Sequence, residues 1–388
     1  MEISRGRFLR ELSLSDYLSV GVISKVFPLQ SVQAALLECD SPNHHQRDLS
    51  LEAVVYYVIA LGLFRPESGN QILRRLEEGL RLDEVGAPLR IVCSSNLSRA
   101  RAALGTKPFS ALRARIVRPL ADKLNQGAWY DGKRLVSIDG VTFRVADEER
   151  NRREFSPPET KDGEPSIPGL RVTLLVEVGT QAPLAWEYGP IAESDLEQAP
   201  RLDSHLPRDS LLLADEHYVS AGLLKAVRET RAETLCGAGD DLEFPPGVTL
   251  DDGSFLSEFK GMPVRVVAYR LRGSGEPVRQ VFTTLLDSAR WPAIELAELY
   301  HARQSTGSAR DEIKARTLLH RSKLRSRTPG LVKQEIEGLM LAYYAVRRFL
   351  HEVAPAIDAE PDQLSIIPPV QIEGPESSRD SEGGPAEA

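Results

Sequence analysis

The sequence predicts a mixed α/β domain behind a helical one. The first observation is a change of pattern. Residues 1–128 read as helical, whereas from Trp129 the chain turns to short alternating or β-branched apolar runs punctuated by Gly and Asp. The second is the order of those runs: three strands, a further strand, a helix, a β-rich stretch, then helices again, which is the layout of a mixed sheet covered by helices. The third is length: 388 residues suffice for two or three domains with a sizeable core.

Within the helical block, LSLEAVVYYVIALGLF (49–64) is a mostly apolar helix that must be buried nearly all round. Ser94, Ser95 and Asn96 can cap the following LSRARAALG, which Gly105 ends. Arg99, Arg101, Arg113 and Arg115 give this block a basic character and make it a candidate DNA-binding domain. In the second block, KRLVSIDGVTFRVAD (133–147) alternates around a turn-prone Asp-Gly, which predicts a pair of strands. LRVTLLVEVGT (170–180) is a β-branched strand with APLAWEYGPI (182–191) as its partner, and SLLLAD (210–215) is a short strand ending on an acid. Residues 220–231 read as a helix, 236–286 as a β-rich insertion, and 292–352 as helix broken by Arg-Thr-Pro-Gly at 327–330. The expected divisions are 1–128, 129–235, the insertion 236–286, C-terminal helices 287–352 that complete the core, and a tail 353–388.

Composition narrows the class. No apolar run reaches the roughly 18 residues of a bilayer span, so a membrane protein is excluded. The start, MEISRGRFLRELSLSD, has neither the apolar core nor the cleavage site of a secretory signal. Cys39, Cys93 and Cys236 are far apart and odd in number, which argues against a disulfide framework or a cysteine zinc site and predicts a reduced, cytoplasmic setting.

The formal net charge of -8 hides a strong asymmetry. Residues 355–388 hold eight acids and one arginine among six prolines, a composition that cannot bury enough surface to order itself and so predicts a disordered acidic tail. A solvated tail is the plain reading; an intramolecular competitor for a DNA-binding surface is the sharper one. Residues 303–333 carry nine bases against Asp311 and Glu312, a phosphate-binding footprint by density, while 187–260 carry 16 acids against six bases.

Two aspartates stand at strand positions. Asp139 lies in Leu-Val-Ser-Ile-Asp-Gly and Asp215 closes Leu-Leu-Leu-Ala-Asp. Isolated carboxylates on apolar strands suit a site that gathers negative charge, and a hard divalent cation such as Mg²⁺ is what offsets that charge. An Asp at a strand end is also an ordinary turn residue or helix cap.

Several ordered stretches carry a family resemblance: GAWYDGKRLVSIDGVTFRVAD, VTLLVEVGTQA, LLLAD, GSFLSE, TTLLD followed by ELAELYHAR, DEIK, and LRSRTPGLVKQEIEGLMLAYYAVRRFLHE. From about Leu49 to His351 the chain resembles transposases of the insertion-sequence-4 family, which have an RNase H-like core and an Asp-Asp-Glu triad. The resemblance implies that Asp139 and Asp215 are the first two metal ligands and that Mg²⁺ ions activate water, then a 3′-hydroxyl, for attack on a phosphodiester. It implies double-stranded DNA, specifically transposon ends, as partner, with a homodimer as the assembly to test. The family's C-terminal signature is Tyr, two residues, Arg, three residues, Glu, six residues, Lys. Tyr300, Arg303 and Lys314 fall in place and, with Arg321, Lys323 and Arg325, are the expected DNA contacts.

The glutamate of that signature is Gly307 here. A glycine brings no charge, and inside a helix it costs about 1 kcal/mol relative to Ala. Asp311 would share its helical face about 6 Å away, one turn on, and Glu312 would lie roughly 140° around. Other departures agree: Glu216-His217-Tyr218 replaces a run such as Arg-Gly-Tyr after the second aspartate, Gln304 replaces a tryptophan, and Glu-Thr-Leu-Cys-Gly-Ala-Gly-Asp stands where a basic segment is expected. The expected function is therefore a DNA-binding protein of the transposase type with a degenerate triad. The alternatives are an active Mg-dependent transposase using Asp311 or Glu312, and a core repurposed around Asp139, Asp215 and His217 for iron, manganese or zinc.

Overall fold

The apolar run at the heart of the N-terminal block forms one helix because Ser50 caps it, accepting the Ala53 N–H at 3.2 Å, and because every residue from Ala53 to Leu63 finds apolar neighbours. A computed structural model describes residues 20–39, 49–65, 67–82, 93–125, 127–156, 167–239, 241–270, 278–305, 324–357 and 359. The block consists of α1 (Val20–Val26), α2 (Leu29–Glu38), α3 (Leu51–Leu63), α4 (Gly69–Leu82), α5 (Ser94–Leu104) and α6 (Lys107–Ile116). Gly105 ends α5 at φ +68°, as expected, but the N-cap is Cys93, so Ser94, Ser95 and Asn96 form the first turn instead of capping it.

The second block is one nine-stranded sheet. In chain order come β1 (Trp129–Tyr130), β2 (Lys133–Arg144), α7 (Glu149–Phe155), β3 (Gly169–Glu177), β4 (Ala182–Pro190), α8 (Asp195–Gln198), β5 (Ser210–Ala214), α9 (Ala221–Glu229) and β6 (Glu233–Ala238). The insertion then contributes β7 (Phe255–Phe259), β8 (Met262–Tyr269) and β9 (Arg279–Thr283) before α10 (Ala293–Ser305) and α11 (Pro329–Val353). Counted from β2, the central strands lie in the order 3-2-1-4-5, the first three antiparallel and the last two parallel to β2, which is the sheet of an RNase H-like core. The insertion does not form a separate sheet. β9 pairs antiparallel with β6 and carries β8 and β7 outward along the same edge.

One expectation fails instructively. Residues 133–144 are a single strand, not two strands about an Asp-Gly turn. Asp139 and Gly140 sit mid-strand, paired with Leu174 and Thr173 of β3. The local turn preference of Asp-Gly loses to the antiparallel ladder with β3, which runs from Val136 to Arg144.

The two faces of the sheet pack differently. Val136, Ile138, Leu212 and Ala214 point into a core shared with Leu223, Leu224 and Val227 of α9. Leu135, Leu211, Leu213 and Leu235 point the opposite way, against Leu296, Ala297 and Tyr300 of α10. Further along that face, Val141, Phe143 and Val172 belong to a core that includes α11 and the N-terminal helices, so the helical block is packed onto the sheet through α11. Gly338 of α11 makes this approach close: a Cβ there would fall 2.2 Å from the Val58 carbonyl oxygen.

Two buried polar networks hold these layers. Glu177 is fully buried, accepts the Leu120 and Ala121 N–H groups at 2.9 and 2.8 Å and the Thr180 hydroxyl at 2.6 Å, and is ion-paired with Arg134. Arg101 of α5, one of the bases that gave this block its basic character in sequence, is buried. It donates to Gln334 at 2.8 Å and to Ser326 at 3.2 Å, tying the start of α11 to the helical block.

Candidate active site

Asp139 reaches its position through β2, and Asp215 follows β5 in extended backbone at φ -76°, ψ 164°. The strands are parallel neighbours whose pairing runs as far as Ser137 opposite Leu213, and each aspartate follows two residues further along its chain. Neighbouring strands lie about 4.8 Å apart, and residues at one level of a parallel pair share a face. That face is the one bearing Leu135, Leu211 and Leu213, under α10. The sheet thus brings together the two aspartates that lie 76 positions apart in sequence.

Each carboxylate has a hydroxyl beside it. Ser137 donates to Asp139 Oδ2 at 3.0 Å, and Asp139 is 6% exposed. The Tyr300 hydroxyl donates to Asp215 Oδ1 at 3.4 Å. Tyr300, an expected DNA contact, is 3% exposed and packs in the α10–sheet core, where it also lines a cavity. It sits there because residue 237 is glycine. A Cβ on Gly237 would fall 2.3 Å from the Tyr300 hydroxyl oxygen. Beside Tyr300 opens a cavity of about 580 Å³ lined by Glu216, Gly239, Tyr269, Arg279 and Gln280 among others.

The back of the sheet holds residues that no sequence signal singled out. A Cβ on Gly140 would meet Asp195 Oδ1 at 2.4 Å and the Tyr218 hydroxyl at 2.7 Å. Asp195 accepts from Arg171 at 2.6 Å and from Thr173 at 2.9 Å. Behind Asp139, the residue after the first aspartate and the third residue after the second therefore converge on one anchored carboxylate. Only the Asp-Gly pair and the retained tyrosine of Glu216-His217-Tyr218 could have hinted at it.

The remaining predicted site residues are not gathered here. Arg303 lies on α10, but Gly307, Asp311, Glu312, Lys314, Arg321 and Lys323 lie outside the described residues. Arg325 is exposed, and its guanidinium donates to the Glu67 carbonyl oxygen while its backbone N–H donates to Glu335 at 3.0 Å. Two further bases of the cluster have acidic partners, Arg327 with Glu148 at 3.7 Å and Lys333 with Glu154 at 2.6 Å. His217 is exposed in the turn after Asp215. Among the described residues no three His, Cys, Asp or Glu side chains gather at metal-binding distance.

Two aspartates on the same face of neighbouring strands, each with hard oxygen donors, fit as a pair of ligands for one divalent cation. They do not by themselves make the three-carboxylate set that holds two.

The sheet defines the class as an RNase H-like α/β core, and comparison with known proteins gives its family. The profile described as "Transposase DDE domain" matches residues 130–345, and "Insertion element 4 transposase N-terminal" matches residues 17–114. The chain belongs to the insertion-sequence-4 family of DDE transposases. It is 27% identical over 371 residues to transposase InsG for insertion sequence element IS4 of Escherichia coli, covering 91% of this chain and 80% of that protein. It is 23% identical over 214 residues to the putative transposase InsZ of the same organism, covering 54% and 68% respectively. Among solved structures, piggyBac transposase in a synaptic complex with hairpin DNA aligns over 92% of this chain and 80% of that one, at 11% identity and a TM-score of 0.47.

Proposed function

We propose that this protein binds double-stranded DNA as a transposase of its family does but is impaired in strand cleavage and transfer. The observation that carries the reading is Gly307, a residue without a ligand atom at the signature position of the third carboxylate. Asp139 and Asp215 are the residues that would hold a divalent cation, Mg²⁺ in this reading. When bound, such an ion polarises a phosphoryl oxygen and lowers the pKa of bound water. The chain's own part is to present the two carboxylates on the same face of neighbouring strands, with Ser137 and Tyr300 each donating to one carboxylate oxygen. With two carboxylates, the charge that would retain a second ion is missing. The bases of 303–333 are the proposed DNA footprint, with the N-terminal helices as a second contact surface.

The test is restoration. Linear DNA carrying the repeats that flank the gene is incubated with Mg²⁺ and either the native chain or Gly307→Glu. The native chain should nick these ends weakly or not at all, and Gly307→Glu should restore nicking that Asp139→Ala abolishes. Nicking by the native chain that depends on Asp139 would refute impairment and point to Asp311 or Glu312 as the third ligand. Failure to shift this DNA in a gel would refute the DNA-binding half.

A further inference from the structure

We propose that Tyr300 is a positioning residue for Asp215, and that the insertion domain sets it. The inference rests on reading Asp139 and Asp215 as cation ligands, and it assigns Tyr300 a role other than the DNA contact that the family signature implies. The chain of contacts begins at the far end of α10. The backbone N–H of Ala293, first residue of that helix, donates to Asp252 Oδ2 at 2.8 Å, so a carboxylate from the insertion caps the helix from outside its own sequence. Asp252 is in turn ion-paired with Arg265 of β8, a fully buried guanidinium that also donates to the Ser254 hydroxyl at 2.7 Å and to the Trp291 carbonyl at 2.6 Å. A buried arginine with all these partners cannot shift without leaving charge unpaired, so it fixes where α10 begins and how it is rotated.

Rotation matters because Ala293, Leu296, Ala297 and Tyr300 follow the i, i+3, i+4, i+7 spacing of one helix face. Leu296, Ala297 and Tyr300 pack together on the sheet, and the phenol arrives over Gly237 with its hydroxyl on Asp215 Oδ1. A hydrogen bond from an enclosed phenol holds one carboxylate oxygen in place and thereby aims the other. This is the arrangement by which groups behind a metal ligand set its orientation.

The test uses the full chain with Mn²⁺ alone as the probe, its binding followed by calorimetry. Tyr300→Phe removes one oxygen atom from a buried ring and should weaken Mn²⁺ binding roughly ten- to hundredfold, the usual effect of losing such a partner. Asp215→Asn and Asp139→Asn should abolish it. Binding that is lost in both aspartate variants but unchanged in Tyr300→Phe overturns the positioning role alone. Binding that is absent, or insensitive to both aspartates, overturns the cation reading and this proposal with it. A loss of DNA affinity in Tyr300→Phe at unchanged Mn²⁺ binding marks Tyr300 as a phosphate contact and also overturns it. Thermal unfolding supplies a readout without metal. Gly237→Ala should lower the melting temperature less in a Tyr300→Phe background than in the native chain, because the oxygen its methyl would strike is gone. Equal losses would show that the phenol does not lie over residue 237.

Discussion

Gly140→Ala adds one methyl group immediately after Asp139, and the structure sets its consequence. The new carbon would lie 2.4 Å from Asp195 Oδ1 and 2.7 Å from the Tyr218 hydroxyl, about 1 Å inside ordinary contact distance for both. Neither neighbour is a loose surface group. Asp195 is held by Arg171 at 2.6 Å and Thr173 at 2.9 Å, and Tyr218 is buried in the α9-side core. Moving Asp195 aside weakens hydrogen bonds that carry charge, worth about 1.5–3 kcal/mol, and overpacking a tight site costs about 1–3 kcal/mol. The two overlap because one displacement relieves both, so a total of about 2–4 kcal/mol follows. At the 2–4 °C per kcal/mol typical of larger domains, the melting temperature should fall by about 4–15 °C. The assay is thermal unfolding of the single variant and of Gly140→Ala combined with Asp195→Ala. In the double variant the added cost of the methyl should shrink, because its nearest obstacle is gone. A single variant melting within a degree of the native chain would refute the claim that Asp195 and Tyr218 close over residue 140.

Three further outcomes are expected. Glu177→Gln replaces a fully buried acceptor of four donors by an amide that must turn N–H groups toward some of them, and leaves Arg134 without its ion partner; urea unfolding should show a loss of about 3–5 kcal/mol, and a loss under 1 kcal/mol would contradict the network. Burial, reinforced by Glu229, pushes the Asp203 carboxyl up to about 7, so the folded state holds its proton more tightly than the unfolded one. The stability this confers is complete below the ordinary carboxylate range and disappears as pH rises through 7. Asp203→Asn should flatten the fall in stability across that window, and superimposable pH profiles would rule the effect out. Neutralising Arg321, Lys323 and Arg325 together should flatten the salt dependence of DNA binding by at most about three units, whereas an unchanged affinity and slope would put the footprint elsewhere.

Most of the architecture was legible along the chain. The runs at 170–180, 182–191 and 210–215 are strands, and the apolar stretch at 49–64 is a buried helix, because periodicity is a local record of which faces are covered. The order of the family motifs and the glycine at position 307 are likewise facts of sequence. Where local preference and tertiary pairing disagree, the sequence misleads. Asp-Gly at 139–140 reads as a turn yet lies within a 12-residue strand, since β3 pairs with it along its length. Nothing in the local sequence of Tyr300 shows that it is 3% exposed; in our proposal that placement follows from the rotation of α10 set by Asp252 and Arg265, which lie well upstream in the insertion. Asp195 and Glu177 carried no signal at all, and Tyr218 only its place in Glu216-His217-Tyr218. Their importance arises from neighbours distant in sequence, such as Thr173 with Asp195, Leu120 with Glu177 and Gly140 with Tyr218. Periodicity and motif spacing therefore determined which segments form the core and which acids are the candidates for the site. Only the tertiary structure decided how the acids are aimed, because a strand register and a buried hydrogen bond join residues whose separation along the chain leaves no pattern to read.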